Sequence, residues 1–126
     1  MSNNYFRIEF KHKEDQIMNP EIAKYWNKAL EAFNTAKTNF ENGEPDSEVK
    51  KVLWMAVSHG QFITRHLNIG GEESTIAAGT AIENLSQLER LDIKQAFDKV
   101  LKALKEYHNL IPDEYNLPSP TGIGNR

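Results

Sequence analysis

The sequence predicts an all-α fold, an antiparallel four-helix bundle-like domain with a short extended N-terminal arm and a Pro-rich C-terminal tail. Apolar residues recur at helical spacing through most of residues 19–110, as they must where one stripe of each helix faces a core. Asn19–Pro20, Asp46–Ser47 and Asp92 stand where such runs should start, and Asn42–Gly43, Gly70–Gly71 and Pro112 stand where they should stop. Period-two alternation of aromatic and β-branched residues is confined to the segment around Tyr5–Phe10. The expected organisation is an arm over 1–18, a helical domain over 19–110 and a tail over 111–126.

Tyr5, Arg7 and Glu9 alternate with Phe6, Ile8 and Phe10, a strand pattern. A lone strand needs a partner for its backbone groups, so this arm should pair with a second chain or lie across the helices. The first helix should open at Asn19, with Pro20 at its first position and Glu21 at its positive end. Its inward stripe is Ile22, Trp26, Ala29, Phe33, Ala36 and Phe40, broadened by Tyr25, Leu30 and Ala32. Gly43 supplies a left-handed stop and Pro45 prevents continuation, so the next helix should fold back as a hairpin.

The central helix, roughly 46–69, is capped by Asp46 or Ser47 and turns Val49, Val52, Leu53, Ala56, Gly60, Ile63 and Leu67 inward. A third helix is expected over roughly 72–90, with Ile76, Ala77, Thr80, Ala81, Asn84, Leu85 and Leu88 as its stripe. Its small residues, Ile76 to Ala81, suit a close helix crossing. Asp92 should break the chain and cap a fourth helix with Ile93, Phe97, Val100, Leu101, Leu104 and Tyr107 inward. One continuous helix through Leu91–Asp92 is the alternative. The tail should be extended unless Tyr115 and Leu117 anchor it.

Composition narrows the function classes. A chain of 126 residues is one domain and can hold a core without staples. Cysteine is absent, which removes disulfides and thiolate chemistry and suits a cytoplasmic location. The formal charge is −3 and the pI about 5.8, so general binding of nucleic acid is not expected. No window is apolar enough for a membrane span, and the N-terminus lacks the apolar core of a signal peptide. Richness in Asn, Lys and Ile is what AT-rich bacterial and phage genomes favour.

The chemistry-bearing residues form no motif for catalysis. His59 and His66 share a helix face but stand two turns, roughly 10 Å, apart, too far for one metal ion. No Glu-x-x-His motif falls on paired helices, and no Gly-x-Ser-x-Gly elbow occurs. Ser58 and His59 are neighbours on a helix and point about 100° apart, so they cannot form a nucleophile–base pair. No metal, cofactor or enzyme activity is expected.

The central helix carries the more informative pattern. Trp54, Ser58, Gln61 and Arg65 fall on one row, and Met55, His59, Phe62 and His66 on the next. In the ordinary reading Met55 and Phe62 widen the core stripe and the polar groups meet water. In the functional reading Trp54, Ser58, His59, Gln61, Arg65 and His66 form a contact face, because Trp and Arg dominate interface energetics. The function expected is a non-catalytic interaction protein that occludes or bridges a protein partner, with homo-oligomerisation a further expectation. A small anionic or nucleotide-like ligand held by Trp54, His59 and Arg65 is the alternative. Nucleic-acid binding through Lys94, Lys99, Lys102 and Lys105 comes third, weakened because no aromatic residues interleave with the lysines.

Overall fold

The computed structural model describes residues 19–67 and 81–121, with the main chain alone over 65–67. The described residues form four α-helices and no strand: α1 (Pro20–Glu41), α2 (Asp46–Leu67), α3 (Leu85–Glu89) and α4 (Ile93–Leu110). A 3-10 helix over Asp113–Tyr115 follows. The fold is all-α. The segments read as an N-terminal arm (1–18), the Gly70–Gly71 stop and the small-residue run up to Thr80 lie outside the described residues.

Asn19 accepts the Glu21 N–H at 2.9 Å, and Pro20 occupies a position where a missing N–H costs nothing. At the other end Gly43 takes φ +82°, and the Glu44 N–H reaches back to the Asn39 carbonyl at 3.0 Å. That bond spans the last turn and satisfies a carbonyl the helix would otherwise leave open. Pro45, not Asp46 or Ser47, caps α2: its carbonyl accepts the Val49 N–H at 3.1 Å, the first bond of the helix. Asp46 is therefore a helical residue, placed with Glu48 in the positive first turn.

α1, α3 and α4 each pack against α2. Being shared between neighbours widens its buried arc. Val57 is fully buried although it lies off the expected stripe, and Val52, expected inward, is only half-buried. Ile22, Trp26, Ala29, Phe33 and Ala36 face it from α1, and Ala96, Phe97, Val100, Ala103, Leu104 and Tyr107 from α4. Phe97 lies 5.9 Å from Phe33, edge to face at 66°, which suits the charge distribution of both rings.

The expected third helix is corrected over its last part. Residues 81–84 are not helical, and α3 begins only at Leu85. Asn84, read as a stripe residue, is instead a cap: its side-chain oxygen accepts the Gln87 N–H at 3.3 Å, and the Gln87 side chain accepts from the Asn84 N–H in return. Satisfying the first donors in this way competes with continuing the helix through Asn84. So short a helix also needs its other end tied. Lys50, largely buried on α2, donates to the Leu91 carbonyl at 2.5 Å and to the Glu89 carbonyl at 3.4 Å. A cation at the C-terminal carbonyls is favourable on charge and on hydrogen bonding. α4 is a separate helix whose cap, Asp92, accepts the Gln95 N–H at 2.8 Å.

Candidate functional site

The return of α2 along nearly three turns of α1 builds the candidate site. The Gly43–Glu44 turn acts as a mirror point, so Tyr25 meets Phe62, Lys28 meets His59, Ala32 meets Met55 and Thr35 meets Val52. Two stripes at helical spacing thus lie side by side. The Tyr25 and Phe62 rings stack with centroids 5.0 Å apart at 18°, and the His59 ring lies 6.3 Å from Tyr25 at 30°. Between the stripes runs a groove of about 310 Å³, with Lys28, Ala32 and Thr35 on one wall and Val52, Met55 and His59 on the other.

The groove has an apolar rim. Met55 is 51% exposed and Phe62 39%, two turns apart on α2 with His59 between them. Lys24 extends over the Tyr25 ring at 5.7 Å from its centroid. A larger depression of about 480 Å³ adjoins it along α1, around Asn27, Asn34 and Thr38, and shares Glu31 and Thr35 with it. α1 alone supplies its walls, which makes it a curved helix surface with no convergent groups.

His59 has a displaced protonation equilibrium. Burial, followed by the charge of Lys28, lowers its pKa from the ordinary 6.5. Its Nδ1 is sealed from solvent with no hydrogen-bond partner among the described residues, so a proton there would be unsatisfied. The unfolded chain binds the His59 proton more readily, so the stability that neutral His59 contributes is intact above about pH 6.5. It is lost as pH falls from there through the lower folded value. Thermal melts between pH 7.5 and 5 should show a fall in melting temperature that His59→Phe reduces; equal slopes in the two proteins would refute the assignment.

The residues singled out from the sequence divide into two groups. Trp54 is half-buried against the core, and the Ser58 hydroxyl donates to the Trp54 carbonyl at 3.0 Å within its own helix. Gln61 points the other way, donating from Nε2 to the Ile82 carbonyl at 2.8 Å and bonding to the Tyr107 side chain. Of the four whose side chains are described, His59 alone borders the groove. Arg65 and His66 are placed on α2 by their main chain only. Met55, Phe62 and Tyr25, which the sequence presented as extensions of the core stripes, are the groups that complete the face. Tyr25 carried a usable signal, since it stands one position off the α1 stripe and mirrors Phe62 across the turn.

Among the described residues no three His, Asp or Glu side chains gather closely enough to hold a metal ion. None of the described helices is long and apolar enough to cross a membrane. No family model matches the chain, and no solved structure matches it. Over 93 residues the chain is 33% identical to Mediator of RNA polymerase II transcription subunit 16 of Saccharomyces cerevisiae. That similarity takes in 73% of this chain but spans only 9% of the yeast protein.

Proposed function

We propose that this chain is a non-catalytic interaction protein that binds a protein partner through the Tyr25–Phe62 face. The observation that carries the reading is the exposure of Met55 and Phe62, 51% and 39%, on one line of α2 beside an elongated groove. Large apolar side chains grouped beside a concavity favour an amphipathic partner segment, which would seat its own apolar stripe between the two helices. Neutral His59 supports this occupant over an anionic ligand, because among the described residues the groove then offers only Lys28 as a cation against Glu31. The scaffold proposed to present the face is bundle-like and flanked by the arm and the tail, and its proposed setting is the cytoplasm. A second copy of the chain is a further occupant with the same chemistry.

Met55→Lys with Phe62→Lys is the direct test. Met55 is half-exposed, while Phe62 gives up its stack on Tyr25, so the double variant should lose about 1 to 2 kcal/mol and stay folded, which a thermal melt checks. The partner, captured by the parent chain and identified by mass spectrometry, should bind the purified double variant at least about tenfold more weakly, the signature of losing interface anchors. Unchanged affinity would refute the face. A parent chain that is strictly monomeric by light scattering and captures nothing specific would refute the interaction reading itself.

A further inference from the structure

The chain beyond α4 is seated on α1 in a manner that resembles a bound ligand. Ile111 is buried at the end of α4, and Asn116, at φ 52°, redirects the chain after the 3-10 helix. Asn is among the few residues that take this left-handed conformation readily. From there the tail climbs α1. The Tyr115 hydroxyl accepts from the Asn19 N–H at 2.7 Å, and Trp26 Nε1 donates to the Pro118 carbonyl at 2.8 Å. Lys37 Nζ donates to the Thr121 carbonyl at 3.0 Å, and His108 Nε2, from α4, donates to the Leu117 carbonyl at 2.7 Å.

Residues 117–121 belong to no helix or strand, and their partners on α1 advance in the same order as the tail, Trp26 for Pro118 and Lys37 for Thr121. The tail therefore runs parallel to α1 beyond the turn at Asn116. Its partners are side-chain donors, and what they read at 117, 118 and 121 is main-chain carbonyl. Pro118, Ser119 and Thr121 are exposed, while Pro120 is buried and Leu117 half-buried. The Trp26 and His108 rings, 5.2 Å apart, form the floor. An aromatic floor with an indole N–H aimed at a proline carbonyl is a physical recipe for holding a preformed polyproline segment.

The geometry points to a receptor site between α1 and α4 for an extended, proline-bearing segment of a partner protein, with residues 117–121 as its resident competitor. The site shares no residue with the Tyr25–Phe62 face and does not depend on it. Carbonyl recognition is indifferent to most side chains, so a foreign segment with prolines in the same register makes the same bonds. A second copy is the poorer occupant: each copy arrives with its own tail seated, so exchange adds no bond and loses translational freedom. Tethering gives the resident tail an effective concentration on the order of millimolar, which a partner must exceed by further contacts.

The test uses the full-length chain, labelled with ¹⁵N, and follows the Trp26 indole N–H resonance, distinguished from that of Trp54 by Trp54→Phe. Tyr115→Phe with Pro120→Asp loosens the tail and leaves Trp26, Lys37 and His108 intact. In this variant the resonance should move, and a synthetic peptide of sequence Tyr-Asn-Leu-Pro-Ser-Pro-Thr should return it to its original position. The same peptide with both prolines replaced by alanine should act at least about tenfold more weakly, since it loses the preformed conformation. A moved resonance that the peptide cannot restore overturns the proposal. So does restoration on concentrating the variant alone with a doubling of mass, which would assign the site to a second copy. Hydrogen exchange in the unmodified chain tests it without any variant. The Trp26 indole proton should exchange at least about 100-fold faster than the core amides of α1 if the tail opens locally, and at their rate if it does not. The equal rate overturns the proposal.

Discussion

Trp26→Ala is expected to remove about 3 to 5 kcal/mol of folding stability, the range for truncating a fully buried large aromatic. Trp26 is 0% exposed, on the α1 stripe that faces the core, and it holds the tail through its indole N–H. Two losses therefore combine: the cavity left by the ring system, and the Pro118 carbonyl left without its donor. Against a total of about 5 to 15 kcal/mol this is a large fraction. The melting temperature should fall by roughly 10 to 20 °C. Trp26→Phe separates the terms, because it keeps an aromatic ring and deletes the donor. It should lose about 2 kcal/mol, the hydrogen bond plus the smaller volume. Denaturant melts of the three proteins decide the matter. A Trp26→Ala protein within about 1 kcal/mol of the parent would mean that the site relaxes around the loss, contrary to its burial.

The helix that carries Trp26 was legible in the sequence almost to the residue, because every signal acts locally. Asn19, Pro20 and Gly43 each answer to a neighbour within a turn, and the stripe of Ile22, Trp26, Ala29 and Phe33 follows from the helix period alone. The partner of the indole N–H was not legible. It lies 92 residues further on, in a proline-rich segment whose local pattern says only that it is extended. The same division runs through α3. Asn84 fitted a helical stripe by period, yet its side chain competes with the helix and ends it, and period counting does not weigh that competition. On the candidate face the row of Met55, His59 and Phe62 was visible, while the choice between core margin and open surface depended on where α1 lies. The hairpin geometry supplies that answer through Tyr25 and Lys28, which the mirror at Gly43–Glu44 places opposite Phe62 and His59.

Gly60→Ala should destabilise the protein by about 2 kcal/mol, although helix propensity alone predicts a gain. In the middle of α2 an alanine is better than glycine by about 1 kcal/mol. Here, however, a Cβ would lie 2.5 Å from Tyr107 Cδ2 and 2.8 Å from Cε2, well inside contact distance. The ring cannot swing aside, since Tyr107 is 2% exposed and its hydroxyl is bonded to the Gln61 side chain. α2 and α4 must then separate, at an overpacking cost that ordinarily runs about 1 to 3 kcal/mol and here belongs at or beyond the upper end. A double-mutant cycle reads the balance. With Tyr107→Leu in place the obstructing ring edge is gone, so Gly60→Ala should turn neutral or stabilising, and the two changes should be coupled by about 2 kcal/mol. Additive effects would place the loss outside this contact. The phenol reports independently: burial, opposed by the Gln61 bond, pushes the Tyr107 pKa up to about 12. The stability this contributes is intact below the ordinary 10.0 and lost as pH rises through the higher folded value. If alanine at position 60 displaces the ring toward water, its ultraviolet titration should move back toward 10 by more than that of any exposed tyrosine changes. An unmoved phenol together with a lost 2 kcal/mol would mean that the backbone of α2 yields and the ring stays where it is.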